Sequence, residues 1–192
     1  IQISYTDSGV PSGSQDYKTI VIVHGMLFNK RKYGFDPLHA YAAKYNTRII
    51  CPARRGYPGS TPFTPAEVAE MEAGSKTVQE RLARQVGWFL LHLIEKGTIT
   101  DGGGIVLVGW SLGNATTLSL LGAEPGVIEH EVYHVLEKHL RRLVLYDPPY
   151  GVLGHPAPPP QTPMYNPYFD PELSAFYDHP GIHSLASTGV NW

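Results

Sequence analysis

A single cysteine, Cys51, in a chain of 192 residues excludes any disulfide framework within the chain. It lies inside the apolar run "RIICPA", which points to a buried, inert thiol rather than a nucleophile. Excess charge is equally scarce. Fifteen basic and 17 acidic residues leave a net charge of -2, and no run of like charges forms a tail, so the chain lacks the field that concentrates nucleic acid or anionic lipid. The arginine pairs in "ARRG" and "HLRRL" read as solvated or capping features. No apolar stretch approaches the length of a membrane span, and no charged-then-apolar leader opens the chain, which is the pattern of a cytoplasmic protein. The chain starts at Ile1 rather than Met, so further residues upstream are expected. Internal repeats are also lacking. What remains, 42% hydrophobic and 17% charged residues, is the composition of an ordinary globular domain with a sizeable core.

Strand-like and helix-like patterns alternate along this chain. "IQISYT", "KTIVIVHG", "TRIICP", "GIVLVGW" and "RLVLYDP" read as strands, the last four as continuous apolar runs of the kind buried on both faces of a parallel sheet. Between them lie helical stretches. "DPLHAYAAKYN" carries Pro37 in a first turn, "TPAEVAEMEAG" has the capping pair Thr64 and Glu67, and "SKTVQERLARQVGWFLLHLIEKG" runs at helical spacing to Gly97. "PGVIEHEVYHVLEKHL" repeats the pattern before the last strand. The alternation predicts an α/β fold: a doubly wound, mostly parallel sheet with helices on both faces. From about Pro148 the texture becomes dense in Pro, Gly, Tyr and His. Residues 1–149 are therefore read as the core and 150–192 as a cap or lid segment, since its aromatics argue for packing rather than for a disordered linker.

The stretch "GIVLVGWSLGNATTLSLLG" runs a strand into a serine and out again as a helix. Ser111 then sits at the carboxyl edge of the sheet, where open parallel sheets bind ligands. A turn that sharp strains the serine backbone, and it needs Gly109 and Gly113 because a side chain at either place would collide with the neighbouring strand or helix. The following helix points its amides and positive dipole end at the place where an oxyanion would form.

With these residues in place the chain resembles the α/β-hydrolase superfamily, in its serine-nucleophile branch, over about the first 150 residues. "IVIVHGMLFN" resembles the strand and turn that supply half of that family's oxyanion hole. The resemblance implies that the backbone amide of Met26, with Leu27 as the alternative, joins that of Leu112 in holding a negatively charged oxygen. "IICPARRGYPGST" is similar to the family's Arg-Gly-aromatic-Gly-x-Ser turn, through Arg55, Gly56, Tyr57, Gly59 and Ser60. It departs at Ala53, where an Asp is usual, and at the additional Pro58. "RRLVLYDPP" resembles the strand after the nucleophile helix, and the proline-rich tail the start of a cap. The activity implied is hydrolysis of a carboxylic ester or related acyl compound through Ser111, with a small acyl substrate and neither cofactor nor metal. Family chain order places the acid and the histidine after later strands. The resemblance therefore implies core strands beyond Trp192, one before "IQISYT", and a missing C-terminal segment or a complementary chain that carries the histidine. The alternative is a non-catalytic ligand-binding module of the same fold, or an incomplete fragment.

Other candidates carry a bland reading beside the functional one. His24, Gly25, Leu27 and Trp110 adjoin the expected pocket, yet a histidine in a His-Gly turn more often braces its loop than acts as a base. Phe28 and Tyr57 are as readily core residues as substrate contacts. Asp147 could orient a histidine, or simply end its strand in an Asp-Pro-Pro turn. His155, His179 and His183 follow the serine but fall in the cap-like segment. His130, His134 and His139 share a predicted helix, where a solvated surface competes with a metal pair lacking a third ligand.

Overall fold

The computed structural model describes residues 1–25, 35–122 and 127–153. The five strand-like stretches become β1 (Tyr5–Asp7), β2 (Lys18–Val23), β3 (Thr47–Pro52), β4 (Ile105–Trp110) and β5 (Leu140–Tyr146). The helices are α1 (Asp36–Ala42), α2 (Pro65–Glu72), α3 (Lys76–Glu95), α4 (Gly113–Leu121) and α5 (His130–His139), with short 3-10 turns at Ala43–Tyr45 and Tyr150–Leu153. None of the described helices is long and apolar enough to cross a membrane.

Sheet order is β1-β3-β2-β4-β5. Strands β2 to β5 pair in parallel, while β1 runs antiparallel to β3. From β2 the chain winds outward to β3 on one side, then returns to place β4 on the other. The carboxyl ends of β2 and β4 therefore lie side by side with their connections leaving in opposite directions, which opens a crevice above them. Their register pairs Val23 with Gly109, so the residues just beyond, Gly25 and Ser111, emerge together.

The sheet is packed on both faces, as the alternation of strands and helices predicts. Val21 and Val23 of β2, Ile50 of β3 and Ile105 and Leu107 of β4 join Leu90 and Leu93 of α3, Leu120 of α4 and Leu136 of α5 in one core. Ile22, Ile49 and Cys51 face the other way and pack with Ala42 of α1. At about 25 cal/mol per Å², each such fully buried aliphatic side chain contributes about 1.5–3 kcal/mol. The expected local signals operate: α2 opens with a reciprocal capping box between Thr64 and Glu67, and Gly97 follows α3 in the left-handed conformation (φ 65°) that ends helices.

Two expectations need correction. The run in β5 is not buried on both faces: Val144, Leu145 and Tyr146 are 40, 37 and 56% exposed. Among the described residues β5 pairs only with β4 and forms the sheet edge, so its composition matches a central strand while its surroundings do not. "IQISYT" is also ladder-paired only from Tyr5. Its first residues bond the 58–61 loop instead, with Gln2 N donating to Thr61 Oγ1 (2.8 Å) and Ser4 N to Ser60 Oγ (3.0 Å).

Candidate functional site

Ser111 follows β4 directly and has φ 49°, a left-handed backbone that costs a non-glycine residue about 1–2 kcal/mol. Close packing holds it there. A Cβ added to Gly113 would overlap the carbonyl oxygen of Val23 and lie 2.9 Å from that of His24. One added to Gly109 would meet Thr117 Oγ1 and lie 2.7 Å from Asn114 Cα. Both glycines flanking the serine are thus sterically required, since α4 leaves the turn in contact with β2 and β4. Gly25 presses from the opposite side: a Cβ there would stand 2.7 Å from Ser111 Cβ and 3.2 Å from its Oγ.

Hydrogen bonds fix the turn further. Ser111 N donates to Tyr146 O at the end of β5 (3.0 Å), and Asn114 N donates to Ser111 O (3.0 Å). The fully buried Asn114 side chain adds two bonds, its Nδ2 donating to Ser111 O (2.8 Å) and Tyr146 O (2.9 Å). The serine is thereby tied to β5 as well as β4. Leu112, the residue before α4, has its amide turned to no acceptor among the described residues. That donor stands beside the serine at the positive end of the helix.

His24 lies beneath this turn, 2% exposed. Its Nε2 accepts from the backbone N–H of Arg54 (3.0 Å), so the proton is on Nδ1, which donates to Gly25 O (2.7 Å). Burial, with a smaller contribution from the neighbouring Arg54 guanidinium, pulls its pKa down to about 4, so the ring is neutral at physiological pH. Tyr57 packs edge-on against it with centroids 4.5 Å apart. Arg54 Nη1 donates to the carbonyl of His24 (3.2 Å), while Arg55 makes a two-pronged ion pair with Glu67 (2.5 and 2.7 Å). The "ARRG" pair is therefore not solvated. One arginine braces the His24 turn, and the other anchors the capping residue of α2, holding the Glu67 carboxyl well below its ordinary range, at about 2.

The structure brings Ser111, Leu112, His24 and Gly25 together. Trp110, the last residue of β4, packs edge-on against Phe35 with centroids 5.4 Å apart and tilted against Tyr146. Asp147 follows β5 with φ 48° and an exposed side chain, one residue beyond the carbonyl that accepts from Ser111 N. Met26, Leu27 and Phe28 lie outside the described residues, as do His155, His179, His183 and nearly all of the 150–192 segment. Among the described residues no imidazole is hydrogen-bonded to Ser111 Oγ. His130 stacks on His134 with centroids 5.8 Å apart, and His139 bonds Val135 O and Asp101. Among the described residues no group of three His, Cys, Asp or Glu side chains is placed to hold a metal ion.

Sequence reasoning missed Asn114 and Arg54. Asn114 carries a weak signal, a buried-helix polar residue one turn after the serine. Arg54 carries none, because its role depends on the path of β2.

Against known families, a model described as the alpha/beta hydrolase family matches residues 20–189. Among solved structures, a Bacillus licheniformis lipase in mature form aligns with TM-score 0.48 and 15% identity, over 77% of this chain and 47% of that one. A lipase-esterase related protein from Clostridium acetobutylicum aligns with TM-score 0.45 and 22% identity, over 74% and 45%. A bromoperoxidase from Bacillus anthracis gives 0.44 and 18%, over 74% and 39%. The chain thus spans less than half the length of these structures. No curated protein matches.

Proposed function

The chain belongs to the alpha/beta hydrolase family, and we propose on that premise that it serves hydrolysis of a carboxylic ester or related acyl compound with Ser111 as nucleophile. The observation that carries the reading is the left-handed serine at the β4–α4 turn, pressed against Gly25, with the amide of Leu112 beside it. In this reading a base takes the hydroxyl proton as Ser111 Oγ attacks the substrate carbonyl. The oxygen's developing negative charge is held by the amides of Leu112 and Met26, and collapse of the adduct expels the alcohol as it takes up the proton. Water then releases the acid from the acyl-enzyme. His24 is not that base, because its Nε2 lone pair is occupied by Arg54 N–H and its Nδ1 carries the proton. The base is an imidazole from outside the described residues, with Asp147 as the carboxylate that orients it.

The engagement of both His24 nitrogens favours one second reading, a ligand-binding module of the same fold that lacks a base. One experiment separates the two. A fluorophosphonate probe should label the full-length protein and not Ser111→Ala, and the substitution should lower ester turnover by about four orders of magnitude while leaving the fold intact. Equal labelling of both proteins, or none of either, would refute the serine as nucleophile.

A further inference from the structure

Asn114 lies in the first turn of α4 and is fully buried, where a side-chain amide costs free energy unless it is hydrogen-bonded. Its Nδ2 donates to two carbonyls, Ser111 O (2.8 Å) and Tyr146 O (2.9 Å). The side chain has little room to swing away. The Tyr146 carbonyl ends β5 and also accepts from Ser111 N (3.0 Å), and on the β4 side the amide presses on Gly109, where an added Cβ would stand 2.8 Å from Asn114 Oδ1. Asn114 N donates to Ser111 O as well (3.0 Å), so that one oxygen accepts both the backbone and the side-chain donor of the same residue.

The Ser111 carbonyl belongs to the same peptide unit as the Leu112 N–H. That unit is trans and planar, so its N–H points opposite to its C=O. Whatever fixes the oxygen therefore aims the amide. Donors on the carbonyl also draw electron density from the peptide nitrogen, which makes its N–H a stronger donor, as along any chain of hydrogen bonds. We infer that Asn114 is a positioning residue for the reaction proposed above: acting through the Ser111 carbonyl, its side chain aims and strengthens the Leu112 amide that meets the oxyanion. The inference rests on the reading of Ser111 as nucleophile. Alanine at 114 keeps the backbone bond to Ser111 O and leaves Tyr146 O its bond from Ser111 N, so neither carbonyl is orphaned and the fold should hold while the aim is lost.

The test is ester turnover by the full-length protein and its Asn114 variants. Charge on the substrate oxygen develops only in the transition state, so a misaimed amide lowers kcat and leaves KM unchanged. Outright removal of an oxyanion donor costs about 100- to 1,000-fold in kcat. Asn114→Ala, which keeps the donor but loosens it, should cost about tenfold, with KM within about twofold. A trifluoromethyl ketone, which forms the oxyanion adduct with the serine, should bind the variant about tenfold more weakly. Asn114→Ser, whose hydroxyl reaches the carbonyl three residues back, should recover most of both losses. Unchanged kcat and inhibitor affinity in Asn114→Ala, or a loss confined to KM, overturns the inference, as does a serine variant no better than alanine. A wild type that a fluorophosphonate leaves unlabelled instead brings down the reading of Ser111, and this inference with it. Should Asn114→Ala fail to fold, NMR of the wild type decides: the Asn114 side-chain amide protons should shift together with the Leu112 N–H when the ketone adduct forms, and unmoved Asn114 resonances sink the inference.

Discussion

Replacing Ser111 by glycine and by alanine separates the strain in its backbone from the chemistry of its hydroxyl. Both variants lose the hydroxyl, but only alanine keeps the Cβ that makes φ 49° costly. The backbone has little freedom to escape that conformation, because its N–H is bonded to Tyr146 O and its carbonyl accepts from both Asn114 N and Asn114 Nδ2. The left-handed conformation costs an L-residue about 1–2 kcal/mol, and glycine loses some of this advantage through its more flexible unfolded state. Ser111→Gly should therefore be more stable than Ser111→Ala by about 1 kcal/mol, or about 2–4 °C in Tm for a chain of this size. A second cycle uses Gly25, where an added Cβ would stand 2.7 Å from Ser111 Cβ. Gly25→Ala should be severe in the wild type and partly rescued by Ser111→Gly, with a coupling above about 1 kcal/mol. Urea unfolding of the wild type, the three single variants and the Gly25→Ala/Ser111→Gly double variant measures both quantities. An alanine variant as stable as the glycine variant, or the same cost for Gly25→Ala in both backgrounds, would refute the packing described for the turn.

Two further outcomes follow from the buried groups around it. His24 has a pKa near 4 in the folded chain against about 6.5 unfolded, so between those values only the unfolded chain takes up the proton. Stability should then fall as pH drops from 6.5 to 4, by up to about 3 kcal/mol, and urea midpoints of His24→Gln should show a flatter dependence over the same window. Gly113→Ala, whose Cβ would overlap the Val23 carbonyl, should cost more than about 3 kcal/mol. Gly97→Ala, with φ 65° but open space around it, should cost about 1 kcal/mol, and circular dichroism melts of the pair would distinguish collision from conformational strain.

How much of this could be read from the residues depended on whether the cause was local. Apolar runs bounded by Gly, Pro and Asp identified the four parallel strands β2 to β5, because a strand in a parallel sheet must be apolar along its length wherever helices cover both faces. The same reasoning misjudged β5, since nothing in "LRRLVLY" distinguishes a central strand from one at the edge of the described sheet; only the neighbours do. The serine turn was legible for a steric reason. Gly109 and Gly113 are the residues whose side chains would strike Thr117 Oγ1 and the Val23 carbonyl, so their spacing records the approach of α4 to the sheet. Asn114 and Arg54 were not legible in the same way. Asn114 is held by a carbonyl 32 residues away, and the Arg54 amide finds its acceptor 30 residues back on His24, partnerships that exist only once the strand order is known. The same distinction bears on function. The strained backbone and the Leu112 amide are built by contiguous residues and are present here, whereas the base of the proposed reaction is a partner that no contiguous stretch supplies. His24, the histidine beside the serine in space, has both ring nitrogens committed to backbone groups, so its contribution to any reaction is to hold the Gly25 carbonyl and the Arg54 amide in place.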